Sequence, residues 1–234
     1  MSPLSRLSPV LLVAALAASG CASVGSMQSA RTLGAGSTQV ALEMGEQALV
    51  SRDQLRAYPV AGIAVRHGVS ARVDLGARVG PSAIEALAKV QLTRPDPEAR
   101  GVAVSLAPAL GAYAWDPGGV EIRSYNLALP VLLGFPFGPE RQHENVLGPR
   151  LHGHAFSLSA GSARGYVDVL SAGATAGIVW KMPAARGVRI ATELGALRPV
   201  VTVVDRSDGV GGVSFQAERW TLQANLAFLI GGGR

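Results

Sequence analysis

The chain has 234 residues, 21 basic against 16 acidic side chains for a formal net charge of +5, and one cysteine. That length suits one substantial domain, a lone cysteine excludes an internal disulfide, and the scattered positive excess, without a basic run, excludes a nucleic-acid surface. Charged residues make up only 16% of the chain, against about 25% in a soluble domain, so something other than water is expected to cover part of the surface.

At the N-terminus Arg6 precedes nine apolar residues, Val10 to Ala18, and the small Ser19 and Gly20 lead into Cys21. Positive, apolar and small-residue parts in that order make a secretory signal. Nine residues in helix cover about 14 Å against a hydrocarbon core of roughly 30 Å, so the run suits a cleaved signal, not a spanning helix. Ala18-Ser19-Gly20-Cys21 resembles the lipobox of bacterial lipoproteins, with alanine at Ala18 where that family more often has leucine. The resemblance implies that Cys21 becomes the lipid-modified first residue of the mature chain. Ordinary cleavage near Gly20, leaving a free thiol, is the alternative. Ala22 after the cysteine, where an aspartate would retain the protein at the inner membrane, implies by the same resemblance an outer-membrane address. The expected organisation is a signal peptide over 1–20, a lipidated linker over 21–36 and a β-barrel domain over 37–234.

From residue 38 onward the pattern is alternation. Thr38, Val40, Leu42 and Met44 share one side against Gln39 and Glu43, and Val73, Leu75, Ala77 and Val79 oppose Arg72, Asp74 and Arg78. Val188, Ile190 and Leu194 oppose Arg189 and Glu193, and Trp220, Leu222, Ala224, Leu226, Phe228 and Ile230 oppose Arg219, Thr221, Gln223 and Asn225. A period of two is the mark of a half-buried strand. Further strands are expected near 58–67, 84–92, 102–115, 123–135, 146–156 and 167–181, ten in all, separated by turn chemistry such as His67-Gly68-Val69-Ser70, Gly80-Pro81-Ser82 and Asp208-Gly209-Val210-Gly211-Gly212. Short connections make sequential strands antiparallel neighbours. The expected fold is therefore all-β, an antiparallel up-and-down meander closed into a barrel of about ten strands.

This arrangement resembles the small outer-membrane β-barrels of bacteria. The match covers most of the mature chain as a pattern, and Phe228 is not terminal as such barrels often require. The resemblance implies an apolar exterior, aromatic girdles near strand ends (Trp115, Tyr125, Phe135, Phe137, Phe156, Tyr166, Phe215 and Trp220) and outward loops near 46–56, 116–122, 157–166 and 199–214. The polar faces then line the lumen with Glu43, Arg72, Asp74, Arg78, Glu85, Lys89, Arg189, Glu193, Arg219 and Gln223, whose mixed signs suit a lattice of ion pairs and a narrow or closed pore. Period two does not say which face points inward, so a lipid-anchored periplasmic barrel of the lipocalin kind, apolar inside and holding a lipophilic ligand, stands as the rival. An outer-membrane hydrolase built from His154 with Ser157 or Ser159 and Asp168 is a third reading, without the G-x-S-x-G elbow that would support it. His152 and His154 lie two apart on one strand face with Arg150, whose charge opposes a cation, and no second pair with ligand spacing accompanies them. No catalytic residue, metal or cofactor is expected. Membrane lipid is the expected partner, nucleic acid is not, and protein partners are left open.

Overall fold

A computed structural model describes residue 25 and residues 27–50, 55–80, 83–95, 100–116, 119–160, 163–185, 187–206 and 220–232. The signal segment 1–20, Cys21, Phe215, Arg219 and the glycine-rich turn at 208–212 lie outside the described residues.

Alternation produces strands along the whole domain: β1 (Thr38–Val50), β2 (Leu55–Gly68), β3 (Val73–Gly80), β4 (Ala83–Gln91), β5 (Ala103–Leu106), β6 (Ala109–Trp115), β7 (Val120–Phe137), β8 (His143–Ala160), β9 (Ala163–Lys181), β10 (Val188–Arg206) and β11 (Trp220–Gly231). Each pairs antiparallel with its neighbours, β1 pairs with β11, and β3 with β4, so the sheet closes on itself. β5 and β6 are one wall position interrupted at Pro108, which has no N–H to give the ladder. Leu106 pairs with Val131 and Ala109 with Ala128, in the same register on both sides of the break. The result is the expected antiparallel barrel of ten strands.

The strands run further than the alternation suggested. β8 ends at Ala160 and β9 begins at Ala163, while β10 continues to Arg206, so 157–160, 163–166 and 199–206, within the segments expected as loops at 157–166 and 199–214, are wall. Ladder pairing carries these strand ends where serines and glycines blur the pattern, and β10 passes Pro199 with a one-residue bulge against β9.

Both ends of the domain, Thr38 and Gly231, lie at one rim, called here the terminal end, with the connections 69–72, 92–102, 138–142 and 182–187. At the opposite rim, the far end, stand the strand ends Val50 and Leu55, Gly80 and Ala83, Trp115 and Val120, Ala160 and Ala163, and Arg206 and Trp220. The wall is uneven at the far end. β7 to β10 have 18 or 19 residues each, whereas β3 has 8 and β4 has 9. β2 therefore pairs with β3 only from Ile63 to Gly68, and β6 pairs with β4 only up to Ala112. Above the short β3–β4 hairpin the wall has a notch.

Candidate functional site

The direction of the faces is unambiguous. Glu43, Asp74, Arg78, Glu85, Lys89, Glu193 and Gln223 point inward and are buried, whereas Leu42, Ile63, Val65, Leu75, Ile84 and Leu194 face outward with 40–67% of their surface exposed. Arg189 is half-buried and lines the terminal mouth. Arg72 is not in the lumen: it sits in the exposed turn 69–72, one residue before β3 begins, where the alternation no longer applies. Sequence reading missed Arg66, Glu144 and Arg150, which are buried on the same inner face. Their parity within β2 and β8 was the available signal.

The inward charges pair across strands. Glu43 accepts from Arg66 Nη2 at 3.4 Å and from Arg78 Nη1 at 3.3 Å, and Arg78 also meets Glu85 through its Nε at 2.5 Å. Lys89 Nζ lies 3.0 Å from Asp74 Oδ2. Glu193 accepts from Gln223 Nε2 at 2.9 Å and lies 3.9 Å from Arg150 Nη2, which also donates to Thr175 Oγ1 at 3.1 Å. Partners of opposite sign are what make such buried charges tolerable.

An eight-stranded barrel is just wide enough for its own side chains to fill. Here ten strands enclose more space, and the inward positions Ala41, Ala64, Ala103, Ala191 and Ala227, each 0–1% exposed, add little volume. The space is taken by the segment before β1. Gly34 and Gly36, at φ +85° and +78°, turn the chain at the terminal rim, where the Gly36 N–H bonds the Gly68 carbonyl at 2.8 Å. Gly34 lies so close to β2 that a Cβ on Gly68 would stand 1.9 Å from its carbonyl oxygen. Residues 27–33 then occupy the terminal half of the lumen, with Ala30 wholly buried and Met27 4% exposed.

Backbone groups inside a barrel need partners, and the wall supplies them along this segment. Asp74 accepts from the Leu33 N–H at 3.0 Å, and Gln91 Oε1 accepts from the Thr32 N–H at 3.0 Å. Lys89 Nζ donates to the carbonyls of Arg31 at 2.7 Å and Ser29 at 3.2 Å, and Ser105 Oγ to that of Ala30 at 2.5 Å. Glu193 accepts from the Met27 N–H at 3.4 Å, and Arg78 Nη1 donates to the Gly25 carbonyl at 2.8 Å. Ser29 Oγ donates to Glu144, which also faces Arg31 Nε at 3.8 Å. What the sequence presented as a linker is, over its described residues, a plug. The inward alanines were the signal, since small residues opposite one another leave room for something else. Beneath the plug a cavity of about 550 Å³ opens at the terminal mouth, lined by Arg31, Lys89, Lys181 and Arg189 with Glu140 and Glu144.

Toward the far end the interior changes character. Ser124, Asn126, His152 and Ser171 form a neutral polar zone, and above it Ile122, Phe156, Leu158 and Val167 are buried. Ile122 pairs with Leu158, and Phe156 with Val167. Phe156 is thus an interior residue, whereas Tyr125, Phe135, Tyr166 and Trp220 are 38–52% exposed, as a girdle requires. His152 and His154 stack with ring centroids 6.4 Å apart, and His154 Nε2 lies 2.8 Å from Ser124 Oγ. Ser157, Ser159 and Asp168 occupy the opposite strand parity, facing away from His154, so the serine–histidine contact has none of the three side chains expected to complete it. Among the described residues no three of His, Cys, Asp and Glu are grouped to hold a metal.

No family model and no curated protein matches the sequence. Solved structures of similar architecture include neisserial surface protein A, with TM-score 0.42 and 8% identity over 82% of this chain and 96% of that one. The translocator domain of the autotransporter NalP from Neisseria meningitidis gives TM-score 0.43 and 9% identity over 97% and 96%. The outer membrane protein OprG from Pseudomonas aeruginosa gives 0.36 and 8% over 85% and 98%. These identities and superpositions are too distant to bear on function, and the barrel stands on its own strand register.

Proposed function

We propose that this chain is a non-enzymatic outer-membrane β-barrel lipoprotein, a structural or envelope component closed at rest and anchored by a lipid on Cys21. The observation that carries the reading is the sidedness of the wall: large apolar side chains outside, paired charges inside. A closed barrel satisfies every wall strand within the sheet, which is the condition for crossing lipid with strands, and an apolar outer band with aromatics toward its edges suits that solvent. The lipocalin-like rival needs the reverse arrangement, apolar inside and charged outside. The plug and the ion pairs support a closed lumen in place of a general diffusion pore, and the Ser124–His154 contact, to which no carboxylate among the described residues is hydrogen-bonded, supports a structural role for both residues.

Heat modifiability tests the reading. The purified protein in detergent is expected to migrate differently before and after boiling, and Cys21→Ser is expected to stay in the membrane fraction through carbonate extraction. Loss of the heat shift together with full solubility of Cys21→Ser would overturn the membrane barrel. Incorporation of labelled palmitate into the parent but not into Cys21→Ser tests the lipid separately.

A further inference from the structure

The mouth at the terminal end turns two cations toward each other over its cavity. Val179 and Ala191 are buried on the inner face, so Lys181, two residues on in β9, and Arg189, two residues earlier in β10, point to the same side. The ladder sets Lys181 directly opposite Arg189, which brings their Cβ atoms to about 5 Å. Like charges in that position are destabilising, and both side chains line the cavity of about 550 Å³.

The acids near them are already engaged. Glu144 pairs with Val179 in the ladder, diagonal to Lys181, but it accepts from Ser29 Oγ and faces Arg31 Nε at 3.8 Å. Asp74 is held by Lys89 Nζ at 3.0 Å and by the Leu33 N–H. With that pair set aside, the described residues of the lining carry four cations, Arg31, Arg141, Lys181 and Arg189, against two acids, Glu140 and Glu144. Arg31 and Arg141 are fixed on the mouth by bonds of their own, Arg31 Nη2 to the Gly101 carbonyl and Arg141 Nη1 to that of Arg100, each at 2.6 Å. A guanidinium has five N–H donors, more than these contacts use, and its fork matches a phosphate. The volume falls within the roughly 300–1,000 Å³ of small-molecule sites.

We propose that this mouth binds a phosphomonoester, its phosphate held between Lys181 and Arg189 with Arg31 on the side of the plug. A phosphomonoester carries close to two negative charges at neutral pH, which matches the excess of cations over acids. Its tetrahedral group offers oxygens in the separate directions from which β9, β10 and the plug present their cations. Because Arg31 belongs to the plug, occupancy of the site also fastens residues 29–33 in the lumen. Lipidation of Cys21 is not a premise of this site.

Glycerol 3-phosphate, titrated by calorimetry into the full-length protein in detergent, is expected to bind saturably, more tightly than succinate at equal ionic strength, and to slow amide exchange of residues 29–33. Lys181→Gln combined with Arg189→Gln should weaken binding by about tenfold or more while keeping the heat shift of a folded barrel. Lys181→Gln alone, at an exposed position, should weaken it in the same direction, whereas Arg123→Gln, which removes a positive charge at the far end, should not. Nanodiscs of zwitterionic lipid with and without phosphatidic acid separate the two sources of such a group. Slowed exchange with phosphatidic acid alone, dependent on Lys181 and Arg189, identifies a lipid headgroup, and binding of the free ester identifies a soluble ligand. Absence of saturable binding by either form, binding no tighter than that of succinate, or equal affinity in the folded Lys181→Gln and double variants would overturn the site.

Discussion

The two halves of the lumen solve one problem in different ways. In the terminal half the wall offers charges and alanines, and the volume is made up by a separate stretch of chain whose backbone bonds the charges. In the far half the inward side chains are first neutral polar groups and then Ile122, Phe156, Leu158 and Val167, all buried and all on the adjacent strands β7 to β9. The terminal half is therefore half of an interface, whereas the far half carries these apolar inward groups on one side of the wall. Strand alternation is the same in both; what differs is the kind of side chain it turns inward.

That contrast can be broken at its ionic centre first. Glu43→Leu leaves Arg66 and Arg78 buried without the carboxylate they share, and breaking a buried pair costs about 3–5 kcal/mol. The denaturant needed to abolish the heat shift should fall accordingly. In the far half Ile122→Ala removes a side chain only 1% exposed, with an expected loss of about 2–5 kcal/mol by cavity formation, read in the same titration. This variant should leave protection of the plug's amides unchanged, which separates it from Glu43→Leu. Ser124→Ala deletes the contact to His154 and should cost about 1 kcal/mol. For the wall itself the smallest change is expected from Asp74→Leu combined with Lys89→Met, since apolar replacement of a whole buried pair is often neutral, and the cost falls instead on the plug's backbone groups that lose their partners. That double variant also removes four of the wall's hydrogen-bonding contacts to the plug. Hydrogen exchange of residues 29–33 should therefore accelerate although the barrel persists, and unchanged exchange there would show that the plug is held by packing alone.

The strand count and the barrel were legible because alternation is a property of neighbouring residues, and Val73 to Val79 or Trp220 to Ile230 display it without help from the rest of the chain. Strand ends were less legible. Residues 157–160 and 199–206 are strand because β7 and β9 pair with them, and pairing is not written in their own composition. Arg72 shows the opposite error, a strand parity extended one residue into a turn. The plug was hidden for a physical reason of the same kind. Ser29 to Leu33 has no period, and its place in the lumen follows from partners on β3, β4, β5 and β8 that are remote in sequence. Only the run of inward alanines, read across strands, announces the vacancy it fills.

The most direct test of a closed, plugged membrane barrel is conductance in planar bilayers, comparing the full-length protein with a variant lacking residues 25–36 that still shows the heat shift of a folded barrel. The full-length protein should hold no steady current and the deletion should open discrete, stable steps. Equal conductance of the two, or silence from the folded deletion variant, would contradict the account.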